Sequence, residues 1–306
     1  MDLNGFLNML KPPGMSSSDL VTFVKRRLPK GTRVGHGGTL DPDAAGVLPV
    51  CVGRATRLFD YIIDKQKEYI AELKLGIVTD TQDATGAVIE THDASHITAE
   101  DICAVLPRFT GDIQQIPPAF SAIKRDGRRM YDLARKGQAV ELEARPVHVD
   151  NAEYLDTLES GGHLIRITCR KGVYIRTICH DIGQTLGVGG HMAFLLRSRA
   201  GYFDVEHGIT PEELDAAYKN GGFEHLLTPL DAPLQHIPAV QVSSAHFHAI
   251  KNGNPLKPGW YEGEASGTVR VYMDGKFAGM GEADETGLIR FRAMLMEMSE
   301  CEKFTI

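Results

Sequence analysis

Hydrophobic and polar positions change period several times along the 306 residues, and each change marks an element. Residues 5–10 form a short apolar run that ends in Lys11-Pro12-Pro13-Gly14, which predicts a strand entering a turn. Ser16 to Asp19 then supply helix N-cap candidates, and Leu20, Phe23, Val24 and Leu28 recur on one helical face. Lys25-Arg26-Arg27 suits the negative end of that helix. A glycine-rich stretch beginning at Gly35 predicts a loop, followed by a strand over 47–52 and a helix over 55–63. Tyr69, Ala71, Leu73 and Leu75 alternate with Ile70, Glu72 and Lys74, the period of a strand. A second strand over 87–91, after the turn-rich TDTQDATG, predicts a hairpin. Thr98-Ala99-Glu100-Asp101 opens an amphipathic helix to about Leu106, residues 164–169 alternate as a strand, and 174–186 read as a helix.

The periodicity fails over 114–147, where Pro, Gly and Arg accumulate in a long basic excursion. A domain boundary is expected at 234–238, between a larger unit at 1–234 and a β-rich module at 235–306. Within that module Asp274-Gly275, a favoured hairpin turn, separates apolar runs at 269–273 and 276–280, and 287–294 is a third strand candidate.

Composition changes this picture little. Forty-two per cent apolar residues support a full core. The N-terminus lacks a basic region before an apolar core, and no run approaches the roughly 18 apolar residues of a membrane span. Five scattered cysteines without CxxC or zinc-ligand spacing predict reduced thiols, no metal site and a cytoplasmic setting. The net charge of −7 argues at first against a nucleic-acid partner. Charge is uneven, however: residues 124–145 hold seven basic and four acidic side chains (+3), and 204–231 hold seven acidic side chains against Lys219 (−6). Screening within about 10 Å leaves such a basic face free to attract phosphates.

The segment GHGGTLDPDAAGVLPV, residues 35–50, carries the candidate chemistry. No GxxxxGK[ST] is present, so it is not a nucleotide-phosphate cradle, and His36 with Asp41 alone is too small a ligand set for a catalytic metal. Two readings remain on the residues themselves. In one, glycines allow left-handed backbone and Asp41 caps a turn before Pro42. In the other, the glycines admit a substrate and Asp41 acts as nucleophile or base.

His36-Gly37-Gly38-Thr39-Leu40-Asp41-Pro42, with Ala45-Gly46-Val47-Leu48-Pro49 and Gly53-Arg54-Ala55-Thr56-Arg57, resembles the catalytic motif of the bacterial tRNA pseudouridine synthase B (TruB) family. Lys11-Pro12-Pro13-Gly14-Met15-Ser16-Ser17, Lys67-Glu68-Tyr69 and Lys171-Gly172-Val173-Tyr174-Ile175-Arg176-Thr177 agree with it in order. The resemblance implies an α+β fold: a pseudouridine synthase catalytic domain with a mixed, mainly antiparallel sheet flanked by helices, plus a small C-terminal β-rich PUA-like RNA-binding domain. It implies isomerisation of a uridine in the tRNA T-loop (position 55) without a cofactor or metal, on a target base flipped out of the T-stem-loop. No protein partner is implied.

Residue by residue, the resemblance makes Asp41 the nucleophile, Tyr69 the ring that stacks on uracil and assists proton removal, and Arg176 the partner of the catalytic carboxylate. His36 is expected to fill the space left by the flipped base. Tyr174 and Leu195 are expected on the substrate side, with Leu195 lining the uracil pocket. Lys11 and Pro12 are expected to buttress the active-site loop beside the substrate, and 114–147 to clamp RNA, mobile until it binds. Leu10 and Leu196 depart from the family pattern, which commonly has Asp and a basic residue there. Two other functions fit the same resemblance: a tRNA-folding chaperone on this fold, and a guide-RNA-dependent relative acting on ribosomal RNA.

Overall fold

The computed structural model describes residues 3–63, 65–118, 124–125, 128–129 and 143–296. In chain order the first strands are β1 (Gly5–Lys11), β2 (Val34–His36), β3 (Ala45–Val52), β4 (Lys67–Leu75), β5 (Ile77–Thr79), β6 (Val88–Thr91) and β7 (Gly111–Gln115). Next come β8 (Lys124–Arg125), β9 (Arg128–Arg129), β10 (Arg145–Thr157), β11 (His163–Cys169), β12 (Gly190–Ala200) and β13 (Phe203–Asp204). Strands β14 (Ala239–Val242), β15 (Tyr261–Glu262), β16 (Gly267–Met273), β17 (Lys276–Ala283) and β18 (Ile289–Met294) complete the set. The α-helices among the described residues are α1 (Ser17–Lys25), α2 (Phe59–Ile63), α3 (Ala99–Val105), α4 (Ile175–Thr185), α5 (Pro211–Lys219) and α6 (Phe247–Lys251).

A nine-stranded sheet runs β1-β3-β12-β4-β11-β10-β7, with β2 on β3 and β13 on β12. Its pairs are antiparallel except β3 with β12, so the sheet is mixed and mainly antiparallel, as expected. Alternation in β4 does what the sequence predicts: Tyr69, Ala71, Leu73 and Leu75 are buried, and Ile70, Glu72 and Lys74 are half-exposed. Those inward side chains pack with Ile165 and Ile167 of β11 and with Ile175, Ile178 and Ile182 of α4 in one core. Helix α1 starts where predicted, with Ser16 and Asp19 forming a reciprocal capping box.

A separate sheet, β15-β14-β16-β17-β18, occupies the C-terminal part, and Asp274-Gly275 makes its predicted turn at positive φ. This part is not loosely attached. Met280, Ala293 and Leu295 share a core with Phe6, Val47 and Leu58. Arg54 Nη1 also donates to Leu295 O at 2.5 Å.

Three features differ from the sequence reading. The hairpin before α3 pairs β6 with β5, not with the strand over 69–75, because Gly76 turns the chain at φ +84° after β4. The helix expected over 55–63 begins as 3-10 turns at Gly53–Leu58 and becomes α-helical only at Phe59. Residues 114–115 and 145–147, expected inside the irregular excursion, belong to β7 and β10, which pair in the main sheet. The polar side chains of this edge pair hide its period. Of the expected clamp, residues 119–123, 126–127 and 130–142 lie outside the described residues.

Candidate active site

The loop joining β2 to β3 is held by groups from four directions, and its local sequence explains why. Gly37 N–H donates to Pro49 O at 2.7 Å, turning the chain back on β3. Ser17 is buried at the start of α1; its hydroxyl donates to Leu40 O and accepts from Leu40 N–H, at 3.1 and 2.9 Å. The Lys11 ammonium donates to three carbonyls, those of Pro12, Met15 and Pro42, at 2.7–2.8 Å. Burial pushes Lys11 down to about 8, although Asp43 and Asp41 oppose the shift.

Arg197 closes the fourth side. Its side chain is fully buried, with Nε donating to Val47 O at 2.6 Å and the two terminal nitrogens reaching Thr39 O and Gly38 O at 3.4 and 3.2 Å. Gly46 is the residue that lets β12 come this close. It sits at φ +105°, opposite Arg197 in the parallel pair, and a Cβ there would stand 2.3 Å from Arg197 O. Gly46→Ala is therefore expected to cost about 3 kcal/mol, from left-handed strain plus overpacking. Urea unfolding measures it; a loss below about 1 kcal/mol would mean β3 and β12 separate easily.

This braced loop forms one wall of a cleft of about 260 Å³, whose lining includes Asp41, Tyr69, Tyr174, Arg176 and Leu195. The structure thus brings together five of the eight candidates. Asp41 and Arg176 face each other at 3.7 Å; the carboxylate side chain is 43% exposed and the arginine 7%, so the anion is reachable and the cation is held in the cleft wall. Tyr69 is buried, which raises its pKa, and its hydroxyl meets Arg197. The phenol therefore stays protonated at neutral pH.

His36, Lys11 and Pro12 are not among the cleft-lining residues. Lys11 instead donates to the three carbonyls named above. His36 lies on β2, and its Nδ1 is buried with no hydrogen-bond partner among the described residues; burial lowers its pKa.

Sequence reasoning missed Asp83. Its carboxylate lies 3.2 Å from Arg176, closer than Asp41 does. Burial works to raise its pKa, but hydrogen bonds from Thr85 and Thr81 and the Arg176 charge hold it below the ordinary value. The signal was present in TQDAT, residues 81–85, an Asp with a threonine two positions away on either side able to donate to it, but it read only as a turn. Arg197 was also missed, as one arginine among two in LLRSR.

Around this one cleft stand a reachable carboxylate, a buried arginine shared between two acids and a protonated tyrosine. Residues 25–175 match "TruB family pseudouridylate synthase (N terminal domain)", residues 176–235 "tRNA pseudouridylate synthase B C-terminal domain" and residues 238–295 "Pseudouridine synthase II TruB, C-terminal". The chain belongs to the TruB family of pseudouridylate synthases. Among its relatives, the protein named tRNA pseudouridine synthase B of Heliobacterium modesticaldum is 40% identical over 311 residues, covering 99% of both chains. The protein of that name from Symbiobacterium thermophilum is 46% identical over 254 residues, 82% of this chain and 83% of that one. Among solved structures, an H/ACA RNP bound to a substrate RNA containing 2'-deoxyuridine has a chain with a TM-score of 0.72 and 26% identity. The match covers 96% of this chain and 85% of that one. No helix among the described residues is long and apolar enough to cross a membrane.

Proposed function

We propose that this enzyme isomerises the T-loop uridine of tRNA (position 55) to pseudouridine, with Asp41 as the nucleophile. The observation that carries the reading is the position of Asp41: half-exposed in the cleft, on a loop fixed by Lys11, Ser17 and Arg197, and facing the Arg176 guanidinium. The reaction breaks the bond from ribose C1′ to uracil N1, joins C1′ to C5, and moves the C5 proton off the ring while N1 gains one. A carboxylate is a nucleophile that can attack at the sugar or the ring. Arg176 pairs with it and orients it. Tyr69 is assigned to stack on the base, and its protonated hydroxyl assists the proton step as a hydrogen-bond partner, not as the acceptor of the C5 proton.

The target base lies within a folded loop, so it must leave its stack to reach Asp41. Flipping costs a few kcal/mol, offset by stacking and phosphate contacts. His36, at the rim of the same loop, is assigned to the space the base vacates. The basic excess over 124–145 suits the RNA backbone, and affinity is expected to fall as salt rises. Incubating the protein with an unmodified tRNA transcript and mapping pseudouridine chemically tests the reading. Modification elsewhere in the tRNA, or none, would sink it.

Arg176→Lys is expected to slow turnover at saturating tRNA by at least about tenfold, because a point charge cannot serve Asp41 and Asp83 together as a planar fork does. Circular dichroism should be unchanged. A rate equal to the parent's would return Arg176 to a purely structural part.

A further inference from the structure

The last residue of β7, Gln115, makes a contact that the chemistry above does not use. It is 2% exposed. Its side-chain amide donates to Tyr174 O at 3.0 Å, and its side-chain oxygen accepts from Tyr174 N–H at 2.8 Å. One side chain thus satisfies both main-chain groups of one residue, as a neighbouring strand would. The residue so held is Tyr174, the N-cap of α4, which has no side-chain cap of its own. Tyr174 O also receives Ile178 N–H at 3.2 Å, the first turn of that helix. Two residues further on is Arg176.

The surrounding geometry gives this clamp a task. Tyr174, Ile175 and Arg176 all line the cleft, so the orientation of the first turn of α4 decides where the Arg176 guanidinium lies relative to Asp41. Before that turn the chain passes Gly172 at φ +93°, where a Cβ would approach Val147 of β10 at 3.9 Å. Gln115 pairs with Arg145 in the β7–β10 register, at the place where the basic excursion leaves the sheet and returns. Both strands at the root of the excursion therefore abut the segment that carries Arg176.

We propose that Gln115 is a positioning residue for the isomerisation: it fixes the start of α4 to the root of the basic excursion and thereby sets Arg176 against Asp41. This rests on the reading of Asp41 and Arg176 given above. Loss of the clamp leaves the cleft walls and the RNA-facing charges in place but lets the arginine wander, so the effect falls on turnover more than on binding. Geometry errors of about 1 Å at a reacting centre cost on the order of a hundredfold in rate.

The test uses the full chain and an unmodified tRNA transcript. Gln115→Ala is expected to lower the single-turnover rate at saturating tRNA by at least about tenfold, with the dissociation constant within about threefold. Gln115→Glu separates positioning from mere packing. Ionised, its carboxylate repels Tyr174 O; protonated, it has the shape and hydrogen-bonding sense of the amide. Its rate relative to the parent at the same pH should therefore rise at least about fivefold from pH 8 to pH 6. Hydrogen exchange at the Tyr174 amide, read without RNA, should be fast in the Ala variant and slow in the parent. A Gln115→Ala rate within twofold of the parent, or a pH-independent relative rate for the Glu variant, would overturn the proposal. Failure of the parent itself to modify tRNA would overturn the reading of the reaction instead. In that case exchange at Tyr174 alone decides whether the clamp exists, and unchanged exchange would end that claim too.

Discussion

Asp41→Asn is expected to reduce pseudouridine formation by at least about a thousandfold while leaving the dissociation constant for tRNA within about tenfold. The substitution keeps the shape of the side chain and removes only its charge and nucleophilicity. The turn does not depend on the carboxylate: Asp41 O, a main-chain group, accepts from Ala44 N–H, and the bonds at Leu40 and Pro42 are also main-chain contacts. Arg176 is not stranded either, since Asp83 remains 3.2 Å away. A large loss of rate in this variant therefore reports chemistry rather than collapse. Single-turnover assays with purified protein and a tRNA transcript measure it, and product at nearly the parent rate would remove Asp41 from the reaction.

Arg197→Met should show the largest loss of stability, together with loss of turnover. Methionine fills part of the volume but donates nothing, so the carbonyls of Gly38, Thr39 and Val47 lose a fully buried donor. Breaking such a charge-assisted set costs about 3–5 kcal/mol. The loop that carries Asp41 is then released on the side nearest Tyr69, so the rate falls even at temperatures where the sheet survives. Urea titration with parallel rate measurements checks both. A stability change below about 1 kcal/mol would show that water replaces the guanidinium without difficulty.

Elements with one clean period and a cap were legible. The strand carrying Tyr69 alternates strictly, α1 begins with Ser16 and Asp19, and 174–186 predicts α4 to within a residue. Strand β12 was not legible, although it is central. It is buried on both sides in places and bulged between Met192 and Phe194 and between Arg197 and Arg199, so HMAFLLRSRA shows no period of two. Helix α5 lay hidden in a segment noticed only for its acidity, though Thr210 and Glu213 form a capping box there. The same division applies to the cleft. Asp41, Tyr69, Tyr174, Arg176 and Leu195 carry a family pattern in sequence, whereas Asp83 and Arg197 act through long-range contacts that no local window contains.

The bracing by Arg197 also has a consequence for biosynthesis. Its donors reach carbonyls 150 to 159 residues earlier in the chain, and its strand inserts between β3 and β4, both made long before it. A ribosome adds roughly 5–20 residues per second, so the segment around Asp41 spends many seconds outside the tunnel without its brace. Closing contacts of this separation is slow, because the entropy of the intervening chain is lost before the pairing rewards it. The loop that carries Asp41 is thus among the first parts synthesised and among the last to take its folded form. A nascent chain broken off before β12 holds the whole motif and no assembled site.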